Sequence, residues 1–388
     1  MSGPGEFELI ASLAGRLDPP SDELGIGDDA AAWLPSPGKL AVATTDMLVE
    51  GVHFRLDWTS PRDLGWKALA VNLSDLAAMG AVPGRALISV ALLPEQAALV
   101  EEMYEGLTEL ARLTETRVVG GDTVRSPGPL VVNVVLVGEA EPGRLLRRGG
   151  ALPGDLLLLT GSVGASAAGL ALLLEGGERL SCPEAAPLLA ALHRPRPRLA
   201  AGRAIASMGL RCAIDVSDGV VSEAWHVAQA SEVAIRLDTD RLPLEAAAVA
   251  LLGEAKARQL AVSGGEDYQL LFTAPEARLA EVVAALGEED RPTVVGRVIG
   301  LRPGGHVELA QAGRGRGVGP AGIRGVLTEQ GFAPEEPKTQ EERWSRKLNL
   351  WGYLAAIWPR RRSASSACRI ASACWGSSTT SSSGPTSA

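Results

Sequence analysis

Short apolar runs and longer amphipathic ones alternate along most of this chain. Residues 40–45 (LAVATT), 86–93 and 130–137 (LVVNVVLV) are rich in β-formers and predict buried strands, while residues 63–79 and 96–113 predict helices. A Gly- and Arg-rich stretch at 142–154 interrupts the pattern. A second round follows: strand 156–160, helix 166–174, a Pro/Arg linker at 193–198, helix 199–208, strand 213–216, helix 220–230 and strand 268–273. The expectation is an α/β protein with mixed sheets in two halves, residues 1–140 and 150–325.

Beyond these halves the composition changes. Residues 345–388 hold six basic residues, no acid and eleven serines. The Ser/Ala-rich run from 363 onward has no amphipathic period and predicts a disordered tail. Before it, residues 348–358 (LNLWGYLAAIW) precede Pro359 and three arginines, and read as a non-core extension, with a surface-seeking helix as the alternative. The whole chain has 46 Asp and Glu against 37 Lys and Arg, a net charge of −9, which argues against a nucleic-acid partner. No run of about 18 apolar residues occurs, so no stable membrane association is expected. The opening MSGPGEFELIASL lacks the basic and apolar regions of a secretory signal. Four Cys without ligand-like spacing predict neither a disulfide framework nor a zinc site. The class that remains is a cytoplasmic enzyme.

The placement of acids is the informative feature. Asp28 and Asp29 sit in GIGDDA, Asp46 follows the strand in TTD, and Asp122 lies in VVGGDTV as a Gly-Asp turn or a ligand. Asp215 and Asp218 flank Ser217 in IDVSDG, and Glu266 and Asp267 sit in SGGEDYQLLF. Asp75 shares a helical seam with Ala68, Asn72 and Met79. Each acid borders an apolar element or a Gly-rich turn, where an ionised carboxylate is costly without a partner. Carboxylates gathered without His or Cys favour a hard, oxygen-preferring cation, Mg²⁺ above all, with Thr44, Thr45 and Ser217 as neutral oxygen donors. Such ions join protein carboxylates to substrate phosphates, which lets an acidic protein bind ATP. No G-x-x-x-x-G-K-[ST] loop, protein-kinase signature or G-x-S-x-G elbow is present, so the ATP site is of a less common type.

Together the segments GEFELI (5–10), GIGDDAA (25–31), TTDMLVEGVHF (44–54), DLGWKALAVNLSDLAAMGA (63–81), GGDTV (120–124), IDVSDG (214–219) and SGGEDYQLLF (263–272) resemble bacterial thiamine-monophosphate kinase. That family belongs to the superfamily of aminoimidazole-ribonucleotide synthetase and selenophosphate synthetase. The resemblance implies the two-domain architecture of that synthetase, with a homodimer formed by pairing of N-terminal sheets. It implies transfer of the ATP γ-phosphoryl to thiamine monophosphate, the last step in making thiamine diphosphate. By motif, it implies Mg²⁺ at Asp29, Thr44, Thr45, Asp46, Asp75, Asp122, Asp215 and Asp218. It places ATP against Tyr104, Gly121, Asp122, Arg148 and Ser217, and thiamine monophosphate against His53 and Glu266. The acceptor is a phosphate monoester, mostly dianionic at neutral pH, so neither a covalent nucleophile nor a general base is expected.

The C-terminus departs from the family pattern: where an aromatic motif usually covers the substrate, this chain has Gly322, Ile323 and Arg324, with Phe332 or Trp344 as substitutes. The tail over 345–388 is also outside the pattern. Two other readings stay open: another ATP-using enzyme of the superfamily, or an inactive protein that binds nucleotide or thiamine phosphate.

Overall fold

The structure, a computed structural model, describes residues 6–15, 17, 24–26, 29–310, 325–328 and 331–334. The first half contains α1 (Glu6–Ala14), β1 (Leu40–Val49), α2 (Pro61–Ala78), β2 (Val82–Leu92), α3 (Ala97–Leu113), β3 (Arg117–Arg125) and β4 (Val131–Ala140). Its strands form a four-stranded mixed sheet in the order β1-β4-β2-β3, with only the β2–β3 pair parallel. Strand alternation gives this sheet two unlike faces. Val42 and Leu48 of β1, Ile88 and Val90 of β2, and Val132, Val134 and Leu136 of β4 enter the core with α2 and α3. Ala43, Thr45 and Met47 of β1 are exposed on the other face.

The second half continues with β5 (Leu156–Thr160), α4 (Ala165–Glu175), α5 (Ala185–His193), α6 (Leu199–Ser207), β6 (Ala213–Asp215), α7 (Val220–Ser231), β7 (Val233–Asp238), α8 (Ala246–Leu252), α9 (Glu254–Ser263), β8 (Leu270–Ala274), α10 (Leu279–Leu286), β9 (Pro292–Leu301), β10 (His306–Ala310), β11 (Gly325–Thr328) and β12 (Gly331–Pro334). These strands form an eight-stranded sheet in the order β11-β12-β10-β7-β9-β5-β8-β6. Two of its inner strands, the neighbours β5 and β8, are buried along their whole length, as strands covered on both faces must be.

Helix α2 joins the two halves. It packs against α3 and also against α6 and β6. Thirteen of its 18 residues are buried, and Ser60 caps it by accepting the Asp63 backbone N–H, with Pro61 in its first turn. Its contacts are so close that they require glycine: a Cβ on Gly65 would sit 1.8 Å from the Met103 carbonyl oxygen, and one on Gly202 of α6 would sit 2.0 Å from that of Ala77.

The elements follow the alternation of the sequence with three differences of consequence. The apolar run suggests that β1 stops at residue 45, but pairing with β4 continues to Val49↔Val131, so Asp46 lies inside the strand opposite Val134. Asp122 lies in strand β3 rather than in a Gly-Asp turn. Gly121 beside it is required by the sheet, because a Cβ there would sit 1.8 Å from the Ile88 carbonyl oxygen. Helices α5, α8, α9 and α10, and strands β7, β9 and β10, fill stretches for which no element is predicted. The tail over 345–388 and residues 322–324 lie outside the described residues.

The helix contact yields a direct test. Gly65→Ala is expected to lower stability in urea unfolding by about 2 kcal/mol or more, as overpacking of a filled core does. Gly300→Ala, where a Cβ meets nothing within 4 Å, should stay within about 0.5 kcal/mol. Equal losses in the two variants would contradict the packing described.

Candidate active site

The inward face of β1 carries Thr44 and Asp46 between the core residues Val42 and Leu48, so both are directed toward α2. The Thr44 hydroxyl donates to Asp75 Oδ2 on that helix. Ser74, the preceding residue of α2, donates to Asp215 Oδ2 at 2.7 Å. Asp215 closes β6 in the second half, and Asp218 follows in the turn into α7. Two hydroxyl bonds therefore tie carboxylates from both halves into one cluster.

Electrostatics shows how closely these acids face one another. Burial, followed by the charges of Asp75 and Asp218, pushes Asp46 up to about 6. Burial and then Asp75 push Asp215 up to about 7, against the Ser74 hydrogen bond that favours its charge. Asp75 is also raised by burial, with the Thr44 hydroxyl and Arg148 pulling the other way. The positive charge of Arg148 acts to lower the pKa of Asp75, Glu223 and His226 alike.

A second group adjoins the first. The His53 Nδ1 accepts the Val49 backbone N–H at 3.1 Å, which leaves the proton of a neutral ring on Nε2. Burial lowers the His53 pKa, opposed by Glu266 and reinforced by Lys67. Lys67 Nζ lies 2.9 Å from Glu266 Oε1. Tyr268 is buried beside Glu266, Asp46, Asp215 and Asp218, and burial with those charges holds its hydroxyl protonated.

Of the other expected residues, Thr45 and Asp122 lie on the opposite face of the first sheet. Pairing aligns Met47, Asn133, Ser89 and Asp122 in one row across the first sheet, with Thr45 and Gly120 in the next row on the same face. Thr45 and Asp122 are exposed on the open face of the sheet, and Thr45 donates to Asn133 Oδ1 at 3.1 Å. Thr45 thus points away from Thr44 and Asp46, as adjacent strand residues must. Asp29 lies in an exposed bend, and Asp28 is outside the described residues. Tyr104 is 5% exposed, inside the first core.

Two residues beyond the expected set belong to the cluster. Glu223 Oε1 accepts the Asp218 backbone N–H at 3.0 Å and the Ser217 hydroxyl at 3.5 Å, and burial pushes it up to about 8. An acid in the first turn of α7, just after the S-D-G turn, is the sequence signal that could have found it. Lys67 had no local signal, because its partner lies in the other half.

Among the described residues, no three His, Cys, Asp or Glu side chains form a group that could hold an ion by themselves. The donor set is nevertheless that of a hard cation. Asp46, Asp75, Asp215 and Asp218 offer only oxygen, and their mutual repulsion is relieved by added positive charge. Magnesium keeps several waters and takes substrate phosphate oxygens, so it needs only one or two protein carboxylates.

Comparison with known proteins gives the family of this fold. Residues 27–140 match the N-terminal domain of AIR synthase related proteins, and residues 153–307 match the C-terminal domain. The thiamine-monophosphate kinase of Bacillus subtilis is 42% identical over 272 residues, covering 69% of this chain and 83% of that protein. The crystal structure of thiamine-monophosphate kinase from Stenotrophomonas maltophilia superposes with a TM-score of 0.70 at 37% identity, over 80% of this chain and 97% of that one. A structure described as "AaThiL complexed with AMPPCP and TMP" gives a TM-score of 0.63 at 34% identity, over 80% and 95%. The two matched domains thus define an AIR synthase related protein. Within that class, the chain belongs to the thiamine-monophosphate kinase family.

The raised carboxylates carry a pH signature. An acid whose folded pKa lies above its unfolded value contributes stability that is present at low pH and lost as pH rises through the folded pKa. Asp215, at about 7 in the fold, should therefore destabilise the metal-free protein progressively between about pH 4 and pH 7. In EDTA, Asp215→Asn is expected to stabilise the protein at pH 8 by on the order of 2 kcal/mol and to have little effect at pH 4. Denaturant melts at the two pH values measure it, and a pH-independent effect would contradict the assignment.

Proposed function

We propose that this chain transfers the γ-phosphoryl group of ATP to thiamine monophosphate, giving thiamine diphosphate and ADP. The observation that carries this reading is the all-oxygen carboxylate cluster built from both halves, in a chain of the thiamine-monophosphate kinase family. Several Mg²⁺ ions belong to the reading, with Thr44, Asp46, Asp75, Asp215 and Asp218 as ligands in the cluster and Asp29, Thr45 and Asp122 as ligands outside it. Bound Mg²⁺ would neutralise phosphate charge that the acidic cluster alone would repel.

The chain's own side chains have separate tasks. Arg148 offers its guanidinium charge, which acts to lower the Asp75 pKa, to the nucleotide phosphates. Gly121, Asp122 and Ser217 complete the nucleotide site, whereas Tyr104, the other expected contact, lies buried in the first core. His53 offers Nε2–H to the acceptor phosphate, and Glu266 meets the cationic thiamine moiety. An oxygen of the dianionic acceptor bonds to the γ-phosphorus as the bond to the β–γ bridging oxygen breaks, and ADP leaves. No side chain is required to remove a proton or to form a covalent intermediate. The rate comes from charge neutralisation and in-line alignment.

The reading extends to assembly and location. Residues 1–140 bind metal and ATP and dimerise, while residues 150–325 form the other half of the site. The exposed residues Ala43, Thr45 and Met47 on the open sheet face support pairing with a second copy. Among the described residues, no helix is long and apolar enough to cross a membrane, which suits a cytoplasmic enzyme.

The test is an assay of ADP and thiamine diphosphate formed from Mg-ATP with thiamine monophosphate, with free thiamine as the control. Diphosphate should appear with the monophosphate alone. Asp75→Asn should lower kcat by about a hundredfold or more, as loss of transition-state charge stabilisation does. No diphosphate from folded wild-type protein that binds Mg-ATP would defeat the reading.

A further inference from the structure

Lys67 is a cation in the interior of α2, with its side chain only 3% exposed and its Nζ 2.9 Å from Glu266 Oε1. A buried ammonium requires a counterion, and this one finds it in the other half of the molecule. Glu266 lies in the loop between α9 and β8, and its side chain is 22% exposed. Its backbone is in the left-handed region at φ 64°, as is that of Tyr268 at φ 51°. Such backbone persists in non-glycine residues only where the surroundings fix it.

Here they do. The Glu266 N–H donates to the Ser217 carbonyl at 2.8 Å, and the Tyr268 N–H donates to that of Val216 at 2.9 Å. Between them, Asp267 accepts the backbone N–H of Gly164 at 2.8 Å and of Ser166 at 3.5 Å, at the start of α4. The loop backbone is thus pinned to the Ser217 turn and to a helix N-terminus. Lys67 fixes what remains, the Glu266 side chain. A carboxylate has two oxygens and about four acceptor sites. With Oε1 paired to Lys67, this partly exposed carboxylate retains acceptor sites for a ligand.

We propose that Lys67 is a substrate-positioning residue, whose ion pair with Glu266 across the junction of the two halves sets where that carboxylate meets the thiamine moiety. The proposal rests on the reading above, in which Glu266 contacts thiamine monophosphate. Holding the carboxylate in advance removes an ordering cost that binding would otherwise bear. The pair also keeps the Glu266 loop of the second half in register with α2, which carries Asp75.

The test uses the full chain with Lys67→Met, Lys67→Arg, Glu266→Gln and the Lys67→Met/Glu266→Gln double variant. Lys67→Met should raise KM for thiamine monophosphate about tenfold or more, with kcat and the KM for ATP within about threefold. Lys67→Arg should recover most of the loss. In the Glu266→Gln background, Lys67→Met should change that KM by less than about twofold. In urea melts, the folding constant of the double variant should exceed the value given by multiplying the two single losses by at least about tenfold. Multiplicative losses in the melts, or equal KM effects in both backgrounds, would overturn the proposal while leaving the kinase reading intact. A wild-type chain that makes no thiamine diphosphate would defeat the kinase reading and the substrate role of Lys67 together, and the urea cycle would still report whether the pair couples the halves.

Discussion

Carboxylates held together against their own repulsion are the constraint from which the rest of this structure follows. Asp46 and Asp75 come from the first half and Asp215 and Asp218 from the second; burial raises Asp46 and Asp215 most, and the charges of Asp75 and Asp218 add to Asp46 as those of Asp75 and Asp46 add to Asp215. Isolated, such a group resists ionisation. With divalent cations and phosphates it becomes a binding surface for a polyanion on an acidic protein. Thr44 and Ser74 orient two of these carboxylates through hydroxyl bonds, and Glu223 holds the turn carrying Asp218 through its backbone N–H.

The cluster needs a rigid junction, and α2 supplies it. Glycine at positions 65 and 202 lets α2 approach α3 and α6 to backbone contact, which fixes the helix against both halves. Asp75, Ser74 and Lys67 all project from this one helix, toward β1, β6 and the Glu266 loop respectively. Small displacements of α2 would move all three contacts together. A site built on packed helices and strands holds its geometry more tightly than one carried by loops alone.

Much of this was legible in the sequence, for reasons that differ by residue. The seam containing Asp75 is visible because helical spacing sets its face, and α2 forms where that spacing occurs. The run LAVATT marks β1 but not its end, because the charged Asp46 masks a strand that pairing with β4 carries on to Val49. Grouping Thr44 with Thr45 follows from their adjacency, whereas strand alternation sends their side chains to opposite faces. Strand β3 was hidden because Gly120, Gly121 and Asp122 are poor strand formers, and the sheet requires Gly121 for close approach. The Lys67–Glu266 pair spans a sequence separation that no local pattern reports. The family resemblance named His53 and Glu266, but spacing alone could not have joined them.

The most direct measurement of the central claim is the affinity of a non-hydrolysable ATP analogue for the full chain, by calorimetry in Mg²⁺ and again in EDTA. A cluster that admits the nucleotide only through bridging cations predicts an affinity loss of about a hundredfold or more in EDTA. Equal affinity in the two buffers would mean that the nucleotide does not meet these carboxylates, and would contradict the account.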